Sequence, residues 1–202
     1  MRTLTLSTLA LASLISALAF DRLDDSLRLI NGGKAEEAVE GLKAELAADP
    51  ANSRAHELLG LAWLKQNKLD DANQEVKQAL EHGPDRASAH VLAARVAIAR
   101  QDWAEAGKAL DKAAELDSAN AEVLLYRGSL HLARKNYKAS VESLTPYLAA
   151  HPDEPYGHYY MGLAQYGMKR RDKTVEHFQR FLALAPDVPE ASRVESLLRS
   201  IR

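Results

Sequence analysis

The residues best suited to metal binding or acid–base work are seven histidines: His56, His82, His90, His131, His151, His158 and His177. Such chemistry needs them to converge, and their spacing argues otherwise. His56, His90 and His158 are separated by multiples of 34 residues. A period of that size gives each structural repeat one histidine, about 10 Å from the next when helices pack. That is too far to share a metal ion. His56-Glu57 lacks the second histidine that a zinc-protease helix requires four residues on. No Gly-rich phosphate loop, G-x-S-x-G or Ser–His–Asp grouping is present. The acid pairs Asp24-Asp25, Glu36-Glu37 and Asp70-Asp71 stand near helix starts, where carboxylates suit the macrodipole. The expectation is a chain that is not an enzyme, with no catalytic residue, metal or cofactor. Recognition is the chemistry left, and Tyr126, Tyr156, Tyr159 and Tyr160 are the side chains suited to it.

The elements that must position these residues follow from a 34-residue period. Pro50, Pro84, Pro152 and Pro186 share one grid, with Ser118 in the vacant slot. Ser26, Gly60, Ala94, Gly128 and Gly162 share a second, and Ala38, Ala72, Ala106, Ser140 and Thr174 a third. Such a period signals a helical repeat array. The windows 20–52, 53–86, 87–120, 121–154 and 155–188 each read as helix, polar turn and second helix, because apolar residues recur at three- and four-residue steps. Residues 189–202, with Val194, Leu197, Leu198 and Ile201 set among charges, suit a terminal capping helix.

Small residues at the Gly60, Gly128 and Gly162 position predict close approach of the paired helix. Ala72, Ala106, Ser140 and Thr174 are the expected facing residues, with Val76, Leu110, Leu144 and Phe178 as the large counterpart. Pro146 predicts a kink or an early end in the second helix of window four.

These residues carry a resemblance to the tetratricopeptide repeat family, including bacterial exported members. Window two shows Leu59-Gly60, Trp63, Ala72, Val76, Ala79 and Pro84 at the family's spacings. Window four shows Gly128, Tyr137, Leu144 and Pro152, and window five Gly162, Phe178, Phe181 and Pro186. The resemblance spans 20–188, with small or tolerated departures at Ser26, Ala94, Ser118, Ser140 and Thr174. It implies an all-α fold: a right-handed α-solenoid of five helix–turn–helix repeats plus a capping helix, with a concave groove. Some members grip a C-terminal carboxylate with Lys, Asn and Arg along that groove. Here the lining reads Leu23, Leu27, Leu61, Ser88 and Leu92, with Arg54, Lys65 and Arg95 as isolated cations, so the clamp is absent.

The implied function is a protein-binding adapter that holds a peptide segment in the groove. Five of the seven tyrosines, Tyr166 included, fall on one face of the last two repeats. Tyr126, Tyr156, Tyr159 and Tyr160 are the candidate contacts, led by Tyr156 and Tyr160, with Arg95 secondary for an acidic group on the ligand. Tyr166 is expected to be the most buried of the five. Alternatively, several rings pack between first helices or under the cap. Analogy with similar repeat proteins suggests assembly of a cell-envelope complex. The alternative function is a self-associating scaffold, and more remotely a small-ligand binder or enzyme.

Bulk properties narrow the partners. A net charge of −2 with interspersed signs offers no field for nucleic acid. The absence of cysteine removes disulfides, thiol catalysis and lipid attachment at Cys. Residues 4–19 carry no charge after Arg2, and Ala17-Leu18-Ala19 gives the small-x-small pattern of a signal peptidase site. The expectation is export to the periplasm with cleavage after Ala19. Retention as an anchor over residues 3–20, which would bring membrane association, and a cytosolic chain are the alternatives.

Overall fold

The computed structural model describes residues 22–201. The expected leader over 1–19 and its cleavage point lie outside the described residues. Every regular element described is helical: α1 (22–31), α2 (Ala35–Ala48), α3 (Ser53–Lys65), α4 (Leu69–His82), α5 (Ala87–Ala99), α6 (Trp103–Leu116), α7 (Ala121–Ala133), α8 (Tyr137–Ala150), α9 (Pro155–Gly167), α10 (Arg171–Leu184) and α11 (Glu190–Ser200). They form two compact units, Met1–Arg100 and Gln101–Arg202, so α1–α5 belong to the first and α6–α11 to the second. The division falls inside the third 34-residue window. Among the described residues, no helix is long and apolar enough to cross a membrane.

The turn inside each helix pair is closed in one way. Gly33, Asn67, Gln101, Lys135 and Lys169 take positive φ, one every 34 residues, at 79°, 58°, 63°, 58° and 59°. In four of the five turns the next N–H reaches five residues back: Lys34 to Leu29 O (2.8 Å), Lys68 to Trp63 O (2.9 Å), Asn136 to His131 O (2.8 Å) and Arg170 to Gln165 O (3.0 Å). That bond satisfies a carbonyl the helix end would otherwise leave open. Helix starts are capped where the sequence allows. Asn52, Asp102, Asn120 and Asn136 accept from the N–H groups of Ala55, Glu105, Glu122 and Ala139.

The connections between pairs are also tied down. His56 Nε2 donates to Pro50 O (3.0 Å), His90 Nε2 to Pro84 O (2.9 Å) and His158 Nε2 to Pro152 O (2.9 Å). The recurrent histidines therefore latch each first helix to the preceding proline carbonyl. At the equivalent junction in window four, Ser118 and Leu124 replace both members of the latch.

The third grid is core throughout: Ala38, Ala72, Ala106, Ser140 and Thr174 are all fully buried. The glycine notches show the expected close approach of the paired helix. A Cβ on Gly128 would lie 2.5 Å from Leu144 Cγ, and one on Gly162 would strike the Phe178 ring. The large side chain of the facing helix, not the small one, fills each notch in the second unit. Ser140 instead donates its Oγ to Gly128 O at 2.8 Å. Gly60 is less crowded, because a Cβ there would meet Leu92 Cδ2 at 3.3 Å and Ala72 O at 3.4 Å. Pro146 does not end its helix. α8 continues to Ala150, and Pro146 is exposed, where water can serve the carbonyl that loses its bond.

Candidate functional site

The five residues singled out from sequence fall in both units. Arg95 lies on α5 in the first unit, half-buried. Tyr126 lies on α7, and Tyr156, Tyr159 and Tyr160 on α9, in the second unit.

Tyr159 is not a surface residue. It is 6% exposed, and its ring lies 5.1 Å from that of Phe181 in a cluster with Phe178 and Val194. The reason is its place in the repeat. Glu57, Val91 and Leu125 occupy the same position in α3, α5 and α7, and all are buried. Burial raises the Tyr159 pKa, opposed chiefly by the Arg193 charge.

Tyr156 is half-buried beneath the C-terminal helix. Its hydroxyl donates to Glu190 Oε2 at 3.2 Å, and its ring meets Phe181 edge-on at 6.2 Å. Burial first, then the Glu190 charge and hydrogen bond, push its pKa up to about 12. Its polar handle is thus spent on α11, which favours packing over recognition. Tyr166, expected to be the buried ring, is 42% exposed. α11 covers the start of α9, where Tyr156 and Tyr159 lie, and Tyr166 stands about 15 Å further along the helix.

Tyr126 and Tyr160 keep a surface. They occupy the same repeat position on α7 and α9, which pack together. Both are half-buried at the border of a cluster formed by Leu125, Leu144, Tyr147 and Met161. Leu58 and Leu92 hold that position in the first unit and are 2% and 3% exposed. The second unit therefore presents tyrosine rings where the first encloses leucines.

Two polar constellations escaped the sequence reading. In the first unit, buried Glu57 accepts from Arg54 Nη1 (2.5 Å), Arg86 Nε (3.1 Å) and Ser88 Oγ (3.1 Å). Arg54 and Ser88, expected to line a groove, are each bonded to Glu57 instead. In the second unit, His158 and His177 face each other with Nδ1···Nδ1 at 3.0 Å and rings 5.3 Å apart. His158 Nε2 carries a proton for Pro152 O, so with both rings neutral His177 Nδ1–H donates to His158 Nδ1. Burial first, then the His158 charge, lower the His177 pKa. The equivalent of His177 in the first unit is Glu75, whose Oε2 pairs with His56 Nδ1 at 2.7 Å. Aligning the second helices at 34-residue offsets would have exposed this exchange. Among the described residues, no group of three or more His, Asp or Glu is placed to hold a metal ion.

Helix pairs on a fixed 34-residue grid define the class as an all-α helical-repeat protein of the α-solenoid type. The chain belongs to the tetratricopeptide repeat family: sequence profiles of that description match residues 23–87, 64–121, 97–166 and 156–187. Proteins of this family are in general non-enzymatic adapters that bind proteins or peptides. No curated sequence matches the chain. Solved structures share its fold. A thermophilic TPR protein of Thermus thermophilus is 18% identical with a TM-score of 0.77, covering 91% of this chain and 98% of that one. PilW, described as a widely conserved type IV pilus biogenesis factor, is 16% identical with a TM-score of 0.71, covering 91% and 93%. YrrB, a TPR protein with an unusual peptide-binding site, is 16% identical with a TM-score of 0.54, covering 88% and 92%.

Proposed function

We propose that this protein is an adapter that receives a protein segment on the first-helix surface of its second unit, at Tyr126 and Tyr160. One observation carries the reading. The repeat position filled by enclosed leucines in α3 and α5 is filled by half-buried tyrosines in α7 and α9. Leucine would serve packing equally well. A ring that is large, rigid and able to hydrogen-bond adds recognition at little entropic cost. Arg95 serves a separate contact on the first unit. The adapter works in the periplasm after loss of residues 1–19 and assists assembly of a cell-envelope complex. Supporting this are the charge-free leader-like stretch and the likeness of fold to a pilus biogenesis factor and to a TPR protein with a peptide-binding site.

The test is a cross-linked pull-down from native cell envelopes with the wild-type chain and the Tyr126→Ala/Tyr160→Ala variant, after circular dichroism shows that both fold. Capture of one protein by the wild type and its loss from the variant is the expected result. Capture of the same proteins by both removes the site. Capture of the chain alone replaces the adapter with a self-associating scaffold.

A further inference from the structure

The charge of the chain is unevenly spread. Residues 169–202 hold eight Lys or Arg against five Asp or Glu, although the whole chain is at −2. The excess is densest across the α9–α10 turn and the start of α10, where Lys169, Arg170, Arg171 and Lys173 fill four of five positions. Beside that turn lies a recess of ≈ 390 Å³ lined by Tyr166, Gly167, Lys169, Arg171, Thr174 and Ile201. Thr174 among these is buried, and Lys169 and Arg171 are exposed. Tyr166 is the one exposed large hydrophobic side chain among the described residues.

We infer that this recess is a second docking surface, which takes an acidic peptide segment by one apolar side chain. The wall and the rim ask for different things, and one ligand answers both. The Tyr166 ring and Ile201 offer apolar area to a side chain that enters. Lys169 and Arg171 attract carboxylates on the residues flanking it, and an acidic strand approaching the turn is steered by the same field. A concavity of this size suits a single inserted side chain better than a flat lipid surface. The surface is separate from Tyr126 and Tyr160, neither of which lines the recess.

Fluorescence anisotropy with short labelled peptides tests this. The peptides are all Asp and Glu except for one central Leu, Phe or Ala. Saturable binding is expected for the Leu and Phe peptides and weaker binding for Ala. Tyr166→Ala and Lys169→Glu, both exposed and so compatible with folding, should each weaken it by about tenfold. Lys138→Glu, an exposed charge change on α8, controls for general electrostatics and should have little effect. The inference is overturned if none of the peptides binds, or if Lys138→Glu weakens binding as much as Lys169→Glu. It is also overturned if Tyr126→Ala/Tyr160→Ala abolishes binding while Tyr166→Ala does not, which would move the acidic ligand to the proposed adapter surface. Binding of anionic phospholipid vesicles, lost on Lys169→Glu, in place of the peptides would assign the basic turn to a membrane.

Discussion

The two units use the same 34-residue plan and solve one packing problem with opposite chemistry. The inward position of the first helix holds Glu57 in α3 of the first unit, satisfied by Arg54, Arg86 and Ser88. In α9 of the second unit it holds Tyr159, packed edge-on or tilted against Tyr156, Tyr160 and Phe181. The neighbouring surface follows suit: enclosed leucines in one unit, half-buried tyrosines in the other. A repeat fixes where a side chain goes but leaves open how that place is satisfied. Specialisation accumulates in that freedom.

The largest expected effect comes from cutting each solution out. Tyr159→Ala should cost about 3–5 kcal/mol, as for other buried aromatic truncations. Tyr160→Ala, one residue on but half-buried, should cost about 1 kcal/mol. Glu57→Gln removes the charge but keeps most of the shape, and should cost about 1–3 kcal/mol for the charged hydrogen bonds lost. Urea melts of single-tryptophan variants check the assignment, with Trp63 reporting the first unit and Trp103 the second. Equal losses for Tyr159→Ala and Tyr160→Ala would erase the distinction between core and surface ring.

Next in size is the glycine notch. Gly128→Ala and Gly162→Ala gain about 1 kcal/mol of helix propensity. They also drive a methyl into Leu144 and Phe178, which should cost about 1–3 kcal/mol and leave a net loss. Gly60→Ala meets only tight van der Waals neighbours and should be neutral or slightly stabilising. The expected order of denaturation midpoints is Gly60→Ala highest and Gly162→Ala lowest.

The fold was legible because its signals are backbone signals. Proline after four of the five pairs, and small residues on two grids and helical spacing in all five, each act locally and repeat. The site was less legible. A helical projection placed Tyr159 and Tyr160 on one face, yet one residue of rotation separates core from surface. Tyr166 was misjudged because its exposure depends on where α11 ends its cover, a tertiary fact no single repeat encodes. Glu57 and His177 were missed because each looks like an ordinary helix residue until its partner, 19 to 31 residues away, is known.

Acid and alkali should separate the ring-based packing from its backbone plan. The lowered His177 pKa means the folded state resists its protonation. Its contribution is therefore complete above the ordinary value of 6.5 and is lost as pH falls through the lower folded value. His177→Gln should flatten that acid-side loss at Trp103. At the other end, Tyr156 is raised from 10.0 to about 12, so its contribution is complete below 10.0 and fades as pH rises toward about 12. Tyr156→Phe should remove that alkaline fall and also the bond to Glu190. An unchanged acid limb in His177→Gln would mean the histidine pair does not couple to folding.

The smallest expected effect tests what the two units share. Asn67 and Lys135 hold equivalent left-handed turns at φ 58°, a region costing most residues roughly 1–2 kcal/mol that glycine avoids. Glycine returns part of this through the greater freedom it gives the unfolded chain. Lys135→Gly should therefore gain a few tenths to about 1 kcal/mol. Asn67→Gly should gain less, because asparagine already tolerates this conformation. The difference between the two variants, read as thermal midpoints, isolates the side chain because the turn is common to both. A larger gain at Asn67 than at Lys135 would mean that the surroundings of the two turns, not their shared backbone, set the cost.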